Sequence, residues 1–291
     1  MDMTQIAFHL FEGLTALLFF LCAWHAVRQD QYALMELVAG LVYGVALELM
    51  TLRQLEAYHY GTFLVMLDGA PLAVGMGWAV IIYAGMQFSR GLDAPIFIRP
   101  LVSGLLALNI DLSMDAVAIR LGFWTWGTGA LDFEWFGVPW GNFWAWFIVV
   151  TSFSGLLEMF TLYGWKRHPV RRWLYVPLSL VLSVVILAAT NALYASFLWP
   201  NALGFTGMLL LIGLALLLVI RARPRASVHQ IDPVVFLVPA TFHLFFTVAG
   251  FAHGIYRAQP ILGVVGVLML LIGLGVHLWP ALRPESTSRV A

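Results

Sequence analysis

The chain has 291 residues, of which 62% are hydrophobic and only 10% charged, and its formal net charge is zero. A mean hydropathy of +0.89 lies far from the soluble norm of about 25% charged residues, and the lack of any basic excess argues against a nucleic-acid partner. A single cysteine, Cys22, excludes an internal disulfide and a cysteine-rich metal cluster.

Long apolar runs separated by short polar breaks predict an all-α, polytopic transmembrane helix bundle of eight to nine spans, because helices and closed barrels alone satisfy the backbone in lipid. A barrel needs short alternating segments, and the run 209–220 does not alternate. The first candidate span, 6–27, carries Glu12 and Cys22, and nothing before it has the basic start of a signal peptide. The second, 32–50, is among the shortest and is the most polar, with Glu36 and Glu48 at its two ends. After a break at 51–69, span 70–88 begins near Gly69-Ala-Pro71. Span 96–120 holds Asp111 and Asp115. Residues four apart on a helix differ by about 40° of rotation, so both carboxyls project from one face.

Each ionised carboxylate at membrane depth costs about 2.5–3.5 kcal/mol on insertion scales, which makes an unused pair expensive. Two carboxyls this close, out of water, favour keeping one of them protonated. Glu48 and Glu12 fall at a similar depth, so acidic groups from three helices are expected to line one cavity. The competing expectation is that the aspartates cap or pair locally with Arg120 or with polar groups of neighbouring helices.

The following loop, 122–142, is unusually aromatic, with Trp124 and Trp126 followed by Trp135, Phe136, Trp140 and Asn142, and Trp146 beyond it. An aromatic belt at the headgroups accounts for part of this, though not for its place beside the paired aspartates. Trp124 and Trp126 are two apart and share a face only if that stretch is extended. Spans 143–164, 173–195, 202–220, 234–256 and 260–279 complete the set. Glu158 sits toward the other end of its span from the paired aspartates, within reach of a neighbouring helix, and is assigned no role. The reading gives one integral-membrane domain over 1–282 and a disordered cytoplasmic tail at 283–291.

Twelve basic residues, among them Arg90, Arg99 and Lys166, fall on one side of these spans, and three, Arg53, Arg120 and Arg257, on the other. The positive-inside rule then predicts a bacterial-type cell-membrane protein with its N-terminus outside and its C-terminus cytoplasmic. Lys166 is the only lysine and lies in a loop, which excludes a retinal Schiff base in the core. There is no P-loop, and no histidine pair has the spacing of a membrane desaturase. The stretch 109–115 is faintly similar to the aspartate-rich motif of intramembrane prenyltransferases. Those enzymes need a second acidic motif and basic residues for diphosphate, which the later helices do not supply.

The run Leu108-Asn-Ile-Asp-Leu-Ser-Met-Asp115, then Gly122-Phe-Trp-Thr-Trp126, then Phe136-Gly-Val-Pro-Trp-Gly-Asn-Phe143 resembles the membrane-bound carotenoid biosynthesis proteins that hydrate carotenoid ends of the γ-carotene or bisanhydrobacterioruberin type. The segment from Glu36 to Glu48 is similar to that family's earlier acidic helix, and the likeness covers about residues 32–160. Two positions depart from the family's pattern. Ala116 stands where proline usually follows the second aspartate, and Trp135 and Phe136 stand where a tyrosine usually precedes Gly-Val-Pro. The lost hydroxyl implies another way of placing water.

The resemblance and the residues together imply hydration of a terminal C=C. Asp111, Asp115 and Glu48 are the expected catalytic groups, and Trp124, Trp126, Asn142, Trp146 and Tyr43 the expected substrate-binding residues. No cofactor and no metal is expected, and the expected partners are a carotenoid or isoprenoid lipid substrate and the membrane lipids. Two alternatives stay open: a lycopene-type cyclase that shares the protonation step, and a proton-coupled transporter whose carboxylates relay protons.

Overall fold

The structure is a computed structural model that describes residues 3–55, 58–126, 134–198, 202–226 and 232–282; the tail 283–291 and the loop segment 127–133 lie outside the described residues. Among these residues the chain forms an all-α polytopic bundle with nine helices long and apolar enough to cross a membrane. They are α1 (Met3–Gln29), α2 (Gln31–Gln54), α3 (Leu72–Arg90), α4 (Ile98–Ala118), α5 (Trp140–Leu162), α6 (Arg171–Leu193), α7 (Ala202–Ala222), α8 (Pro233–Ala252) and, after the short α9 (Ile255–Ala258), α10 (Pro260–Leu282). A π-helical turn, Tyr194–Leu198, prolongs α6.

Local chemistry sets the starts of the helices. Asp30 caps α2 by accepting from the Ala33 amide at 2.7 Å, and Asp232 caps α8 by accepting from Val234 at 2.9 Å, with Pro233 in the first turn; each cap satisfies amides that have no partner within the helix. The Gly69-Ala-Pro71 stretch is not a break within a span. Asp68 and Gly69 both have positive φ, 50° and 92°, and form the two-residue turn between β2 (Met66–Leu67) and β3 (Ala70–Pro71), as an Asp-Gly pair favours. Two further short antiparallel pairs join loops distant in sequence: β1 (His59–Tyr60) with β5 (Trp124–Thr125), and β4 (Leu92–Asp93) with β6 (Arg225–Ala226).

α2 and α3 pack closely at two glycines. A Cβ on Gly40 would lie 3.2 Å from the Ala79 Cα, and one on Gly44 would lie 2.5 Å from the Trp78 Cβ. This is the close approach that a G-x-x-x-G face permits. α3 and α4 sit at the centre and are buried on most faces. α6, α7 and α10 instead turn apolar side chains such as Val185, Leu210, Leu217 and Leu271 outward.

At one end of the bundle a charged cluster joins the helices. Arg90 of α3 bonds Glu36 of α2 at 2.6 Å and Glu158 of α5 at 2.7 Å. Arg99 of α4 and Lys166 of the α5–α6 connection each reach one of the same acids at 3.4 Å, and the Tyr175 hydroxyl donates to Glu36 at 3.0 Å. Glu36 and Glu158 are therefore helix-to-helix contacts. The other end holds Arg53, paired with Asp68 at 3.1 Å, together with the aromatic loops.

Candidate active site

Asp111 and Asp115 lie on the buried face of α4, at 0% and 3% exposure. Asn142, in the first turn of α5, faces them. Its Nδ2 donates to Asp111 Oδ2 at 3.1 Å and to Asp115 Oδ2 at 2.7 Å, which uses both N–H bonds of the amide. The Asn142 backbone amide in turn bonds the Pro139 carbonyl at 2.9 Å. Asp111 Oδ1 is buried with no hydrogen-bond partner among the described residues.

Arg120 does not pair with the aspartates; the polar group of a neighbouring helix that does is Asn142 of α5. The Arg120 Nη1 donates to the Ala116 and Phe136 carbonyls at 2.6 and 2.9 Å, pinning the loop before α5 to the end of α4. Trp135 does the same through Nε1, which donates to the Leu112 carbonyl at 2.8 Å. Between them Phe136 and Gly137, with φ of 52° and 83°, turn the chain back so that Trp135 bridges Val138. This turn delivers Asn142 to the aspartates.

Trp124 and Trp126 do lie on an extended stretch. Paired β1 and β5 carry a two-residue alternation on each strand: the Tyr58 ring packs 4.6 Å from Trp126, and the Tyr60 ring 6.1 Å from Trp124. Beneath this aromatic layer, Glu48 of α2 accepts at both carboxyl oxygens. Trp78 Nε1 donates to Oε1 at 2.8 Å, the Tyr60 hydroxyl donates to Oε2, and the Tyr58 hydroxyl donates to Tyr60 at 2.9 Å. Burial pushes both phenols well above their ordinary pKa, with the neighbouring Glu48 adding to the effect, so both remain O–H donors. Trp78 is held from its other side by Trp146, stacked at 3.8 Å.

These groups surround a cavity of about 550 Å³, within the usual range for ligand pockets. Asp115, Glu48, Asn142, Trp124, Trp126 and Trp146 all line it. Asp111 does not; it lies behind Asp115, with which it shares the Asn142 amide. Tyr43 is fully buried off the cavity, its ring 5.7 Å from Phe153. Glu12 does not join the expected acidic cluster either: it accepts from the Leu64 amide at 2.6 Å and so holds the loop after α2. At the end of α6 and in the π-helical turn that prolongs it, Asn191, Ala192 and Ala195 are both cavity-lining and exposed, so the cavity reaches the outer surface of the bundle there.

Tyr58, Tyr60 and Trp78, which surround Glu48, escaped the sequence reading. Tyr58-His59-Tyr60 carries the same two-residue alternation as Trp124-Thr125-Trp126 and was legible on that ground. Trp78 carries no such signal, because only the close approach at Gly44 brings its indole to Glu48. Among the described residues no group of three or more His, Cys, Asp or Glu is arranged to hold a metal ion.

No curated protein and no solved structure matches this chain. Residues 6–212 match the sequence profile of the carotenoid biosynthesis proteins. That stretch runs from the first helix into the seventh, and it contains both carboxyl centres and the aromatic layer above them. The chain belongs to the carotenoid biosynthesis protein family.

Proposed function

We propose that the protein hydrates the terminal trisubstituted C=C of a carotenoid end group. The observation that carries this reading is the pair Asp111 and Asp115, buried together under a single amide donor at the wall of an aromatic-lined cavity. Two like charges that close, out of water, repel strongly, so the pair holds one proton between them. Asp115 faces the cavity and is the donor; Asp111, behind it, shares the proton. Proton delivery to the terminal alkene forms a C–H bond and leaves a tertiary carbocation. Trp124, Trp126 and Trp146 face that cation, and each desolvated aromatic face stabilises it by about 0.5–2 kcal/mol. Water adds its oxygen to the cation and loses a proton, giving a tertiary alcohol. None of these steps calls for a redox or nucleotide cofactor.

The substrate chain enters from lipid along α6, where small side chains leave the cavity open. On the distribution of basic residues we orient the cavity toward the outer face and the Glu36–Arg90 end toward the cytoplasm. A role in carotenoid biosynthesis agrees with the family and leaves a proton-coupled transporter without support. Cyclisation shares the first step, and the mostly apolar lining favours it as the second reading. A neighbouring double bond would then capture the cation, giving a ring with no added water.

Pigments from a lycopene-producing host with and without this chain decide between them, because hydration adds the mass of water and cyclisation adds nothing. Alcohols formed with the wild-type chain and reduced at least about a hundredfold by Asp115→Asn are the expected result. Pigments unchanged by wild-type protein shown to be in the membrane would exclude the reading.

A further inference from the structure

Two carboxyl centres line one cavity, and their hydrogen-bond environments differ in kind. The Asp111–Asp115 pair shares the Asn142 amide as donor, and Asp111 Oδ1 has no hydrogen-bond partner among the described residues. Glu48 has a donor on each oxygen, Trp78 on one and Tyr60 on the other, with Tyr58 donating in turn to Tyr60. A carboxyl ringed by donors is built to accept. Glu48, Tyr58, Tyr60, Trp78 and Asp115 all line the same space.

We infer that Glu48 is the base that takes the proton from the capturing water, and that Tyr60, backed by Tyr58, is the positioning residue that aims the carboxylate and that water at the cation. This assignment rests on the hydration reading and divides its two halves between the two centres. In the first half the Asp115 O–H bond breaks and the alkene π pair forms the new C–H bond. In the second a water lone pair forms the C–O bond, a water O–H bond breaks, and its proton passes to Glu48. The aspartate pair is then one proton short and Glu48 one ahead. Return of that proton through cavity water restores both, and the sum is addition of one water to one alkene. Without the Glu48 side, a cation still forms but water no longer captures it efficiently, and it gives a proton back.

The test uses membranes holding the full chain, lycopene as substrate and D₂O as solvent, with two readouts: alcohol formed and deuterium in the recovered olefin. The alcohol reports both halves; deuterium in unreacted olefin reports protonation followed by proton loss. Glu48→Gln and Tyr60→Phe are expected to cut alcohol at least about tenfold while deuterium still enters the olefin, raising its ratio to alcohol at least tenfold. Tyr58→Phe, one step further away, is expected to cut alcohol about two- to fivefold. Wild-type alcohol yield in Tyr60→Phe and Glu48→Gln overturns the assignment. So does joint loss of alcohol and label in Tyr60→Phe protein whose thermal midpoint matches wild type, since that variant removes one oxygen atom from a folded site. A wild-type chain that forms neither alcohol nor labelled olefin sinks the hydration reading, and this assignment with it. Wild-type hydration alongside unaffected variants sinks the assignment alone.

Discussion

Asn142 has a more consequential place than its position in an aromatic loop implies. One amide nitrogen satisfies oxygens from two buried carboxyls, and hydrogen bonds to charged groups are worth about 1.5–3 kcal/mol each. Asn142→Leu keeps a similar volume and removes both bonds. Under the proposed chemistry it should lower alcohol formation at least about tenfold in membranes with normal amounts of protein, a loss read by pigment extraction. The aspartates themselves were legible in the sequence, because a four-residue spacing on a helix fixes two side chains on one face whatever the surroundings. Arg120 was the natural local partner by sequence, yet it binds two carbonyls instead. Its long side chain reaches past the aspartates to the turn at Phe136, and no spacing rule fixes where a flexible guanidinium ends. Tyr43 shows the opposite case. It lies on the same helix as Glu48, but five positions is about 140° of rotation, which turns it away from the cavity and toward Phe153.

Helices and strands place these side chains in two ways. The Trp124-x-Trp126 alternation foretold an extended stretch, which begins in β5; Tyr58-x-Tyr60, which ends in β1, completes the layer across the strand pair. That pairing joins Tyr60 to Trp124, 64 residues apart in sequence, so only the assembled bundle brings the second pair of rings to the first. The α2–α3 contact works by subtraction. With no side chain at Gly44, the Trp78 indole can lie against α2 and reach Glu48. Gly44→Leu should force these helices apart and cost at least about tenfold in activity, although the position carries no functional group. Gly13→Leu is the matched control, because nothing lies within 4 Å of a Cβ there, and it should leave pigment yield unchanged.

The bundle as a unit separates stability from chemistry along its long direction. One end holds the Glu36–Arg90–Glu158 cluster, which joins α2, α3 and α5 and draws in Arg99, Lys166 and Tyr175. The other holds the cavity. Removing one partner of a buried ion pair costs about 3–5 kcal/mol because the remaining charge is stranded, and Glu36 is 1% exposed. Arg90→Met should therefore lower the thermal midpoint of the detergent-solubilised protein by about 5–10 °C. Its effect on product identity should be nil, since no member of the cluster lines the cavity.

Span number, helix limits and the paired acids follow from periodicity and hydropathy, which act over a turn or two of one helix and need no knowledge of neighbours. The convergence of Asp115, Asn142, Glu48 and Tyr60 on one hollow depends on which helices pack together. The membrane holds apolar helices with little regard to their rotation, so close contacts at small residues, loop pairings and buried charges select the arrangement. Those contacts join residues far apart in the chain, and only the folded bundle reveals them.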